Sequence, residues 1–235
     1  SLVSPKYFKK IENYFHSTNS VAAVVGFCHQ ANDGKTLDGS ILQCEQFLKN
    51  TANELEFAGS PYSYVSMGST IICRPEAYVA IGGMPKKKAT EDFYFLQELA
   101  KYKQVDKINS ILVYPSSRLS ERVYLGTGFR MMQAKHGKDL ADLFYSKKSF
   151  IALKFFLSIV MEGYNKELDE IILKIKNNNN GVYKFLMEQN IDKIWQPLRE
   201  SSPSKIHFQK QFHRWFDSLK TIKFLNRFSK MGSVL

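Results

Sequence analysis

The chain has few cysteines, and it has no long apolar run. Cys28, Cys44 and Cys73 are odd in number and widely spaced, so they form neither a disulfide framework nor a CxxC metal site. This pattern favours a reducing compartment. A membrane-spanning helix needs about 18 or more apolar residues in a row. The nearest candidate, residues 150–161, is short and interrupted by Lys154, so no spanning helix is expected.

Acidic residues are also scarce: the chain has 22 Asp and Glu compared with 33 Lys and Arg, which gives a net charge of +11. Such a surplus favours an anionic partner: nucleic acid, an acidic membrane surface, or a phosphorylated substrate such as a sugar nucleotide. Charge alone does not choose among these. The 44% hydrophobic and 14% aromatic content excludes a disordered polypeptide, and 235 residues suffice for one large domain or a domain with a helical annex.

The first 115 residues alternate predicted helices and strands. The nearly continuous apolar run 21–28 predicts a buried strand, and residues 63–73 and 105–114 predict two more. Helices are predicted after Ser4-Pro5, over 41–55 and from Glu91 onward. This alternation predicts an α/β layered sheet. Three strands are few for such a sheet, so we expect a missing N-terminal portion before Ser1.

Two adjacent carboxylates, Glu91 and Asp92, begin the helix that follows a Lys-rich loop. Thr90 is predicted to cap this helix, and acids in the first turn interact favourably with the positive end of its dipole. Taken alone, the triplet is an ordinary capped, acid-rich helix start. A carboxylate held there is also suited to accept a proton from an incoming hydroxyl.

Three motifs in the segment 66–92 carry a resemblance to a known family. Thr90-Glu91-Asp92 resembles the TED motif of processive family-2 glycosyltransferases, and Gly82-Gly83-Met84 resembles their Gly-Gly-aromatic turn. Ser66-Met67-Gly68-Ser69 is similar to their Cys-Gly-Ser acceptor motif. The resemblance covers about residues 1–130, the expected acceptor-side part of a glycosyltransferase domain, and residues 131–235 are predicted to form a C-terminal helical extension.

The resemblance implies a partial GT-A (Rossmann-like) sheet and an inverting transfer from a nucleotide-sugar donor to a glycan or lipid-linked acceptor. Asp92 would be the general base and Glu91 its supporting neighbour. The residues implied at the acceptor are Gly68, Ser69, Gly82 and Gly83. The family also uses a divalent metal, Mg or Mn, held by a DxD motif. That motif is absent from this chain, in which no metal ligand is predicted.

Residues 119–123 stand where the family carries QxxRW, and only Arg122 matches. The missing Gln and Trp argue against a processive polysaccharide synthase. Arg122, together with Arg118, is predicted to clamp the donor diphosphate, because guanidinium geometry suits such an anion. The glycines of Gly126-Thr127-Gly128 would let this segment close over the donor, or would simply form a turn before the helices.

The last segment, residues 205–230, mixes bases with apolar residues at helical spacing. It is predicted either to lie on a membrane surface or to pack onto the sheet or its own helical layer. Arg214-Trp215 within it is a candidate contact for a glycan or lipid head group. The histidines His136, His207 and His213 show no zinc-site spacing and are expected at the surface or in the core. His29, directly after a predicted strand, is expected to be structural or solvated, with contact to a ligand at the strand end as the alternative.

Two alternatives to an active transferase remain open. One is a non-catalytic basic module that binds acidic lipid or nucleic acid, although no nucleic-acid motif is recognised. The other is a catalytically inactive fragment that lacks the donor half. The expected location is cytoplasmic, with peripheral contact at the inner membrane face as an added option.

Overall fold

The computed structural model describes residues 1–30, 39–87, 90–116 and 144–230. The chain divides into two compact units. The first comprises Ser1–Asn53 with Tyr62–Phe144, and the second comprises Glu54–Pro61 with Tyr145–Leu235. The boundary predicted between residues 130 and 131 lies outside the described residues. The first unit is α/β, as predicted, and the described part of the second is helical.

The first unit contains four strands and four helices within its described part. The strands are β1 (Leu2–Val3), β2 (Ala22–Phe27), β3 (Ile71–Cys73) and β4 (Asp106–Tyr114). The helices are α1 (Tyr7–Ser17), α2 (Gly39–Phe57), α3 (Pro75–Ala80) and α4 (Glu91–Tyr102), and a 3-10 turn spans Gly68–Thr70. The final residues of α2 belong to the second unit.

The four strands form one mixed sheet in the order β1-β4-β2-β3. β2 and β4 run parallel, and both outer pairs are antiparallel. The predicted strands at 21–28 and 105–114 are confirmed. The strand predicted over 63–73 is wrong for most of its length, because the 3-10 turn at Gly68–Thr70 confines β3 to Ile71–Cys73.

Both faces of β2 are covered, which accounts for its nearly continuous apolar sequence. Alternate residues point to opposite faces of a strand. Ala22 and Val24 pack in the cluster that contains Phe95 and Leu96 of α4. Ala23, Val25 and Phe27 pack in the other cluster, against residues of α1 that include Tyr7, Ile11 and Tyr14.

Gly26 allows β2 and β4 to come unusually close. A Cβ atom at this position would lie 2.7 Å from the Ser110 carbonyl oxygen. The register between the two strands shifts on either side of Gly26. Only glycine fits here without displacing β4, so the carboxyl ends of the parallel pair depend on this residue.

The second unit contains six described α-helices. They are α5 (Lys147–Met161), α6 (Leu168–Asn178), α7 (Asn180–Glu188), α8 (Ile191–Glu200), α9 (Lys205–Trp215) and α10 (Ser218–Lys230). The breaks predicted near 177–181 and 201–204 are confirmed. The break predicted near Ser149 lies slightly earlier, at residues 144–146. Ser149 itself is in the first turn of α5, where its N–H donates to the Ser146 hydroxyl. Residues 205–230 form two helices joined at Phe216 and Asp217.

Aromatic rings fill the core of the second unit. Phe156 of α5 is fully buried and contacts the rings of Phe212, Phe216 and Phe224. The large buried side chains of α9 and α10 therefore face the helical layer, which confirms the packing interpretation of residues 205–230 for these side chains. In the described ranges, no helix has both the length and the apolar composition needed to cross a membrane.

Candidate functional site

A hydrogen bond joins two of the motifs predicted to form the acceptor site. The Gly68 backbone N–H donates to Asp92 Oδ2 at 3.1 Å, although 24 residues separate them. A Cβ atom on Gly68 would lie 3.7 Å from the Asp92 Cβ, so the two residues are in close contact. The Phe93 N–H donates to the other oxygen, Oδ1, at 2.8 Å. Two backbone donors therefore fix the Asp92 carboxylate at the start of α4.

The pKa of Asp92 lies above the ordinary value for aspartate. Burial has the largest effect and raises the pKa, and the negative charge of Glu91 raises it further. The N–H groups of Phe93 and Gly68 act in the opposite direction without cancelling the increase. A carboxylate with a raised pKa is a stronger base, and Asp92 remains half-buried rather than enclosed.

Thr90 does not cap α4 as predicted. Its side chain makes no capping hydrogen bond, and its backbone is left-handed, with φ 63° and ψ 17°. This conformation is strained for a β-branched residue. It turns the chain directly before Glu91 and Asp92. The capping preference of threonine does not predict the missing hydrogen bond, because the local backbone conformation decides whether the hydroxyl reaches a backbone N–H.

Gly82 and Gly83 end α3 in a tight turn, with φ angles of 80° and 77°. Their N–H groups donate to the carbonyl oxygens of Val79 and Tyr78. A Cβ on Gly83 would lie 3.0 Å from the Tyr78 ring. The Tyr78 ring in turn packs against Phe95 of α4. The observed contacts of the two glycines are thus within the turn.

The loop before α4 keeps one of its lysines beside that helix. Lys87 Nζ lies 4.1 Å from the centre of the Tyr94 ring, in cation–π geometry. Lys86 and Lys87 are both exposed. Positive charge is therefore available close to the first turns of α4, where the Asp92 carboxylate lies.

The Gly68–Asp92 pair lies towards the carboxyl end of β2. Val24 pairs with Ile71 in the antiparallel β2–β3 ladder, and the 3-10 turn directly precedes Ile71. Because antiparallel neighbours run in opposite directions, the turn lies beside the later part of β2. In α/β sheets, ligands bind outside the carboxyl ends of parallel strands. The bridge between Gln30 and Ser116 extends the parallel pair at the same edge.

A buried charged cluster follows β2 at this edge. His29 is 4% exposed, and both its backbone N–H and its ring Nδ1 are hydrogen-bonded to Glu45 Oε2, at 3.0 and 2.8 Å. Lys49 Nζ bonds the other carboxylate oxygen at 2.5 Å. The interpretation of His29 as a structural residue agrees with these contacts. Glu45 was not predicted as part of a site, although an acid among the apolar positions of an amphipathic helix is a signal for one.

Replacing Glu45 with glutamine is expected to destabilise the first unit by roughly 1–3 kcal/mol at neutral pH. Burial alone would raise the pKa of Glu45, but hydrogen bonds from Lys49 and His29 lower it overall. The stabilising effect is therefore present above the ordinary glutamate pKa and disappears as the pH falls through the lower native value. Hydrogen exchange of the β2 amides measures the loss.

The matched control is Glu12→Gln, because Glu12 forms an exposed pair with His16 at 3.9 Å. That exposed pair is expected to contribute less than about 1 kcal/mol. Equal effects of the two substitutions on β2 exchange would contradict a stabilising role for the buried cluster.

Two other predicted site residues adjoin this pair: Glu91 precedes Asp92 and its charge acts on it, and Ser69 follows Gly68. Both side chains are exposed. Arg118 and Arg122, the predicted diphosphate clamp, lie outside the described residues, as do Gly126 to Gly128 and His136. Among the described side chains, no group of three or more His, Cys, Asp or Glu is placed to hold a metal ion.

His213 of α9 has a pKa lowered to about 4 by burial. In the unfolded chain His213 binds a proton near the ordinary pKa of 6.5, whereas in the native state it does so only near 4. The free energy of unfolding therefore decreases as the pH falls from 6.5 towards 4. We expect a loss of up to about 3 kcal/mol over this window, which His213→Gln reduces. Tryptophan fluorescence measures unfolding of the second unit. An identical pH dependence of stability in His213→Gln would contradict the attribution of this loss to His213.

Compared with protein-family models, with curated proteins and with solved structures, the chain shows no match.

Proposed function

We propose that the chain is the acceptor-side part of an inverting glycosyltransferase of family-2 type, with a partial GT-A sheet in its first unit. Its substrates are a nucleotide-sugar donor and a glycan or lipid-linked acceptor. The observation that supports this proposal most directly is the hydrogen bond from Gly68 to Asp92. It joins the two motifs that resemble the family's acceptor motif and its TED motif.

In the proposed reaction, Asp92 removes the proton from the acceptor hydroxyl. The hydroxyl oxygen then forms a bond to the anomeric carbon as the bond from that carbon to the diphosphate breaks, with inversion. The proton remains on the Asp92 carboxyl, and the nucleoside diphosphate leaves. The hydrogen bonds from Gly68 and Phe93 hold both carboxylate oxygens, and each oxygen retains a second lone pair for the substrate.

Positive charge is needed where the diphosphate leaves. In the proposed transferase, Arg122 and Arg118 contribute to it. A divalent cation of the kind that the family uses, Mg or Mn, would neutralise the same group. The chain contains no DxD triplet, and its described residues provide no three-ligand cluster, so we assign the cation to no residue of this chain.

Glu91→Gln is expected to move the acid limb of the pH–rate profile to lower pH. Glu91 raises the pKa of Asp92 by charge repulsion, so its neutralisation lets Asp92 remain ionised in more acidic solution. The profile of kcat/KM measures this shift. Glu98→Gln, which changes an exposed acid on the same helix, is the control. A profile unchanged by Glu91→Gln would contradict the proposed coupling.

The direct test uses an extended protein, which consists of this chain preceded by any residues that are encoded upstream of it in the same reading frame. Purified protein is incubated with a panel of nucleotide sugars and Mg or Mn, and release of the nucleoside diphosphate is measured. Release that depends on Asp92 supports the proposal. Absence of both release and donor binding in the extended protein would refute it and favour an inactive or purely binding module.

A further inference from the structure

Helix α5 buries one side and exposes the other. Leu153 and Phe156 are fully buried in the core of the second unit. With about 100° per residue, Lys147, Ile151 and Lys154 project from the side of the helix that faces away from these two residues. All three are exposed, and the exposed fraction of Ile151 is 51%. The outer side of α5 therefore combines bases with an aliphatic side chain.

An aromatic ring extends this outer side. Phe57 is the last residue of α2, belongs to the second unit and is 46% exposed. The centre of its ring lies 3.8 Å from Lys154 Nζ and 5.5 Å from Lys147 Nζ. These distances are those of cation–π contacts. Phe57, like Ile151, is thus an exposed apolar side chain next to the bases of α5.

Positive charge exceeds negative charge on the outer side of α5. The helix contains three lysines, Lys147, Lys148 and Lys154, and no Asp or Glu. Glu54 bonds Lys147 Nζ at 2.9 Å and offsets its charge. Lys148, which adjoins Ile151 one turn further along, and Lys154 are exposed, and neither forms an ion pair with an acid in the described ranges. The α5 face is defined as Phe57, Lys147, Lys148, Ile151 and Lys154.

We propose that the α5 face docks on an anionic phospholipid surface. Lipid phosphates pair with the lysines, while Ile151 and the Phe57 ring enter the head-group region. A nucleic acid would also attract the lysines, but it would leave the isoleucine exposed to water. The combination of bases with exposed aliphatic and aromatic side chains therefore favours a membrane surface. This inference does not depend on the proposed transferase activity.

The test is co-sedimentation of the full chain with phosphatidylcholine vesicles, with and without one third phosphatidylglycerol. We expect binding to the anionic vesicles alone. Lys148→Glu combined with Lys154→Glu is expected to weaken this binding by at least about 25-fold, since each base near an anionic surface contributes roughly fivefold. The control is Lys174→Glu combined with Lys193→Glu, which makes the same change of charge at two exposed bases of α6 and α8 and should weaken binding far less.

A second pair of variants separates insertion from charge. Ile151→Ser is expected to weaken binding by roughly tenfold, and by a similar factor in low and moderate salt, because its effect is hydrophobic. Leu173→Ser, at a residue of α6 that is 59% exposed, is the control and should leave binding unchanged. Circular dichroism of each variant checks that it remains helical.

Four outcomes would overturn the proposal. The first is that the full chain does not sediment with the anionic vesicles. The second is equal loss of vesicle binding in the α5 charge variant and its control, which would show a response to net charge alone. The third is undiminished binding by Ile151→Ser. The fourth is vesicle binding that survives Lys148→Glu with Lys154→Glu while binding to duplex DNA is lost, which would assign the α5 face to nucleic-acid phosphates.

Discussion

Replacing Asp92 with asparagine is expected to lower kcat for sugar transfer by roughly 10²–10⁴-fold, the usual contribution of a general base. The amide oxygen can accept one of the two backbone hydrogen bonds, from Gly68 or from Phe93, but the amide NH2 cannot accept the other, so circular dichroism must show that the variant remains folded. In the proposed reaction, the variant loses the ability to take the proton from the acceptor hydroxyl. Steady-state kinetics of the extended protein with a nucleotide-sugar donor measure the effect.

Two comparisons make the Asp92 result specific. Asp92→Glu keeps a carboxylate but displaces it by one methylene, so it should retain more activity than Asp92→Asn. Glu98 is exposed on the same helix, so the Glu98→Gln variant should retain normal activity. Normal turnover by Asp92→Asn would refute the assignment of Asp92 as the base. A large rise in KM with unchanged kcat would instead assign it to acceptor binding.

Replacing Phe156 with alanine is expected to destabilise the second unit by about 3–5 kcal/mol, as is usual for a large ring removed from a core. Phe156 is fully buried and contacts three phenylalanine rings from α9, α10 and the residues that join them. The packed surroundings cannot collapse fully into the space left behind. Denaturant unfolding followed by tryptophan fluorescence measures this unit alone, because both tryptophans, Trp195 and Trp215, belong to it.

The control for Phe156 is Ile151→Ala on the same helix. Ile151 is 51% exposed, so its truncation removes less buried surface and should cost under about 1 kcal/mol. If Phe156→Ala unfolded at the same denaturant concentration as the control, the aromatic core would not be the source of stability in this unit.

Sequence patterns predicted the elements whose signal is local. The β-branched run of β2, the strand-forming segment 105–114 and the acidic start of α4 each depend on neighbouring residues. The extent of β3 was not predictable in this way. Residues 63–73 are rich in strand formers, but a strand also needs a partner. Only Ile71 to Cys73 pair with β2, because the chain forms a 3-10 turn at Gly68–Thr70 directly before them.

The candidate site was predictable only in part for a similar reason. The resemblance to a glycosyltransferase predicted that Gly68 and Asp92 belong to one site, and the structure brings them into contact. It gave no indication that Glu45 would bond His29, because that contact depends on how α2 packs beside the end of β2. Residues 16 positions apart carry no pairing signal in a single sequence.

The left-handed backbone at Thr90 has a consequence for sequence change. A non-glycine residue in such a conformation costs roughly 1–3 kcal/mol, and glycine would avoid most of that cost. Glycine would also widen the range of backbone conformations directly before α4. The Asp92 carboxylate would then adopt a wider range of orientations. Selection for thermal tolerance and selection for a well-aimed carboxylate would therefore favour different amino acids at this one position.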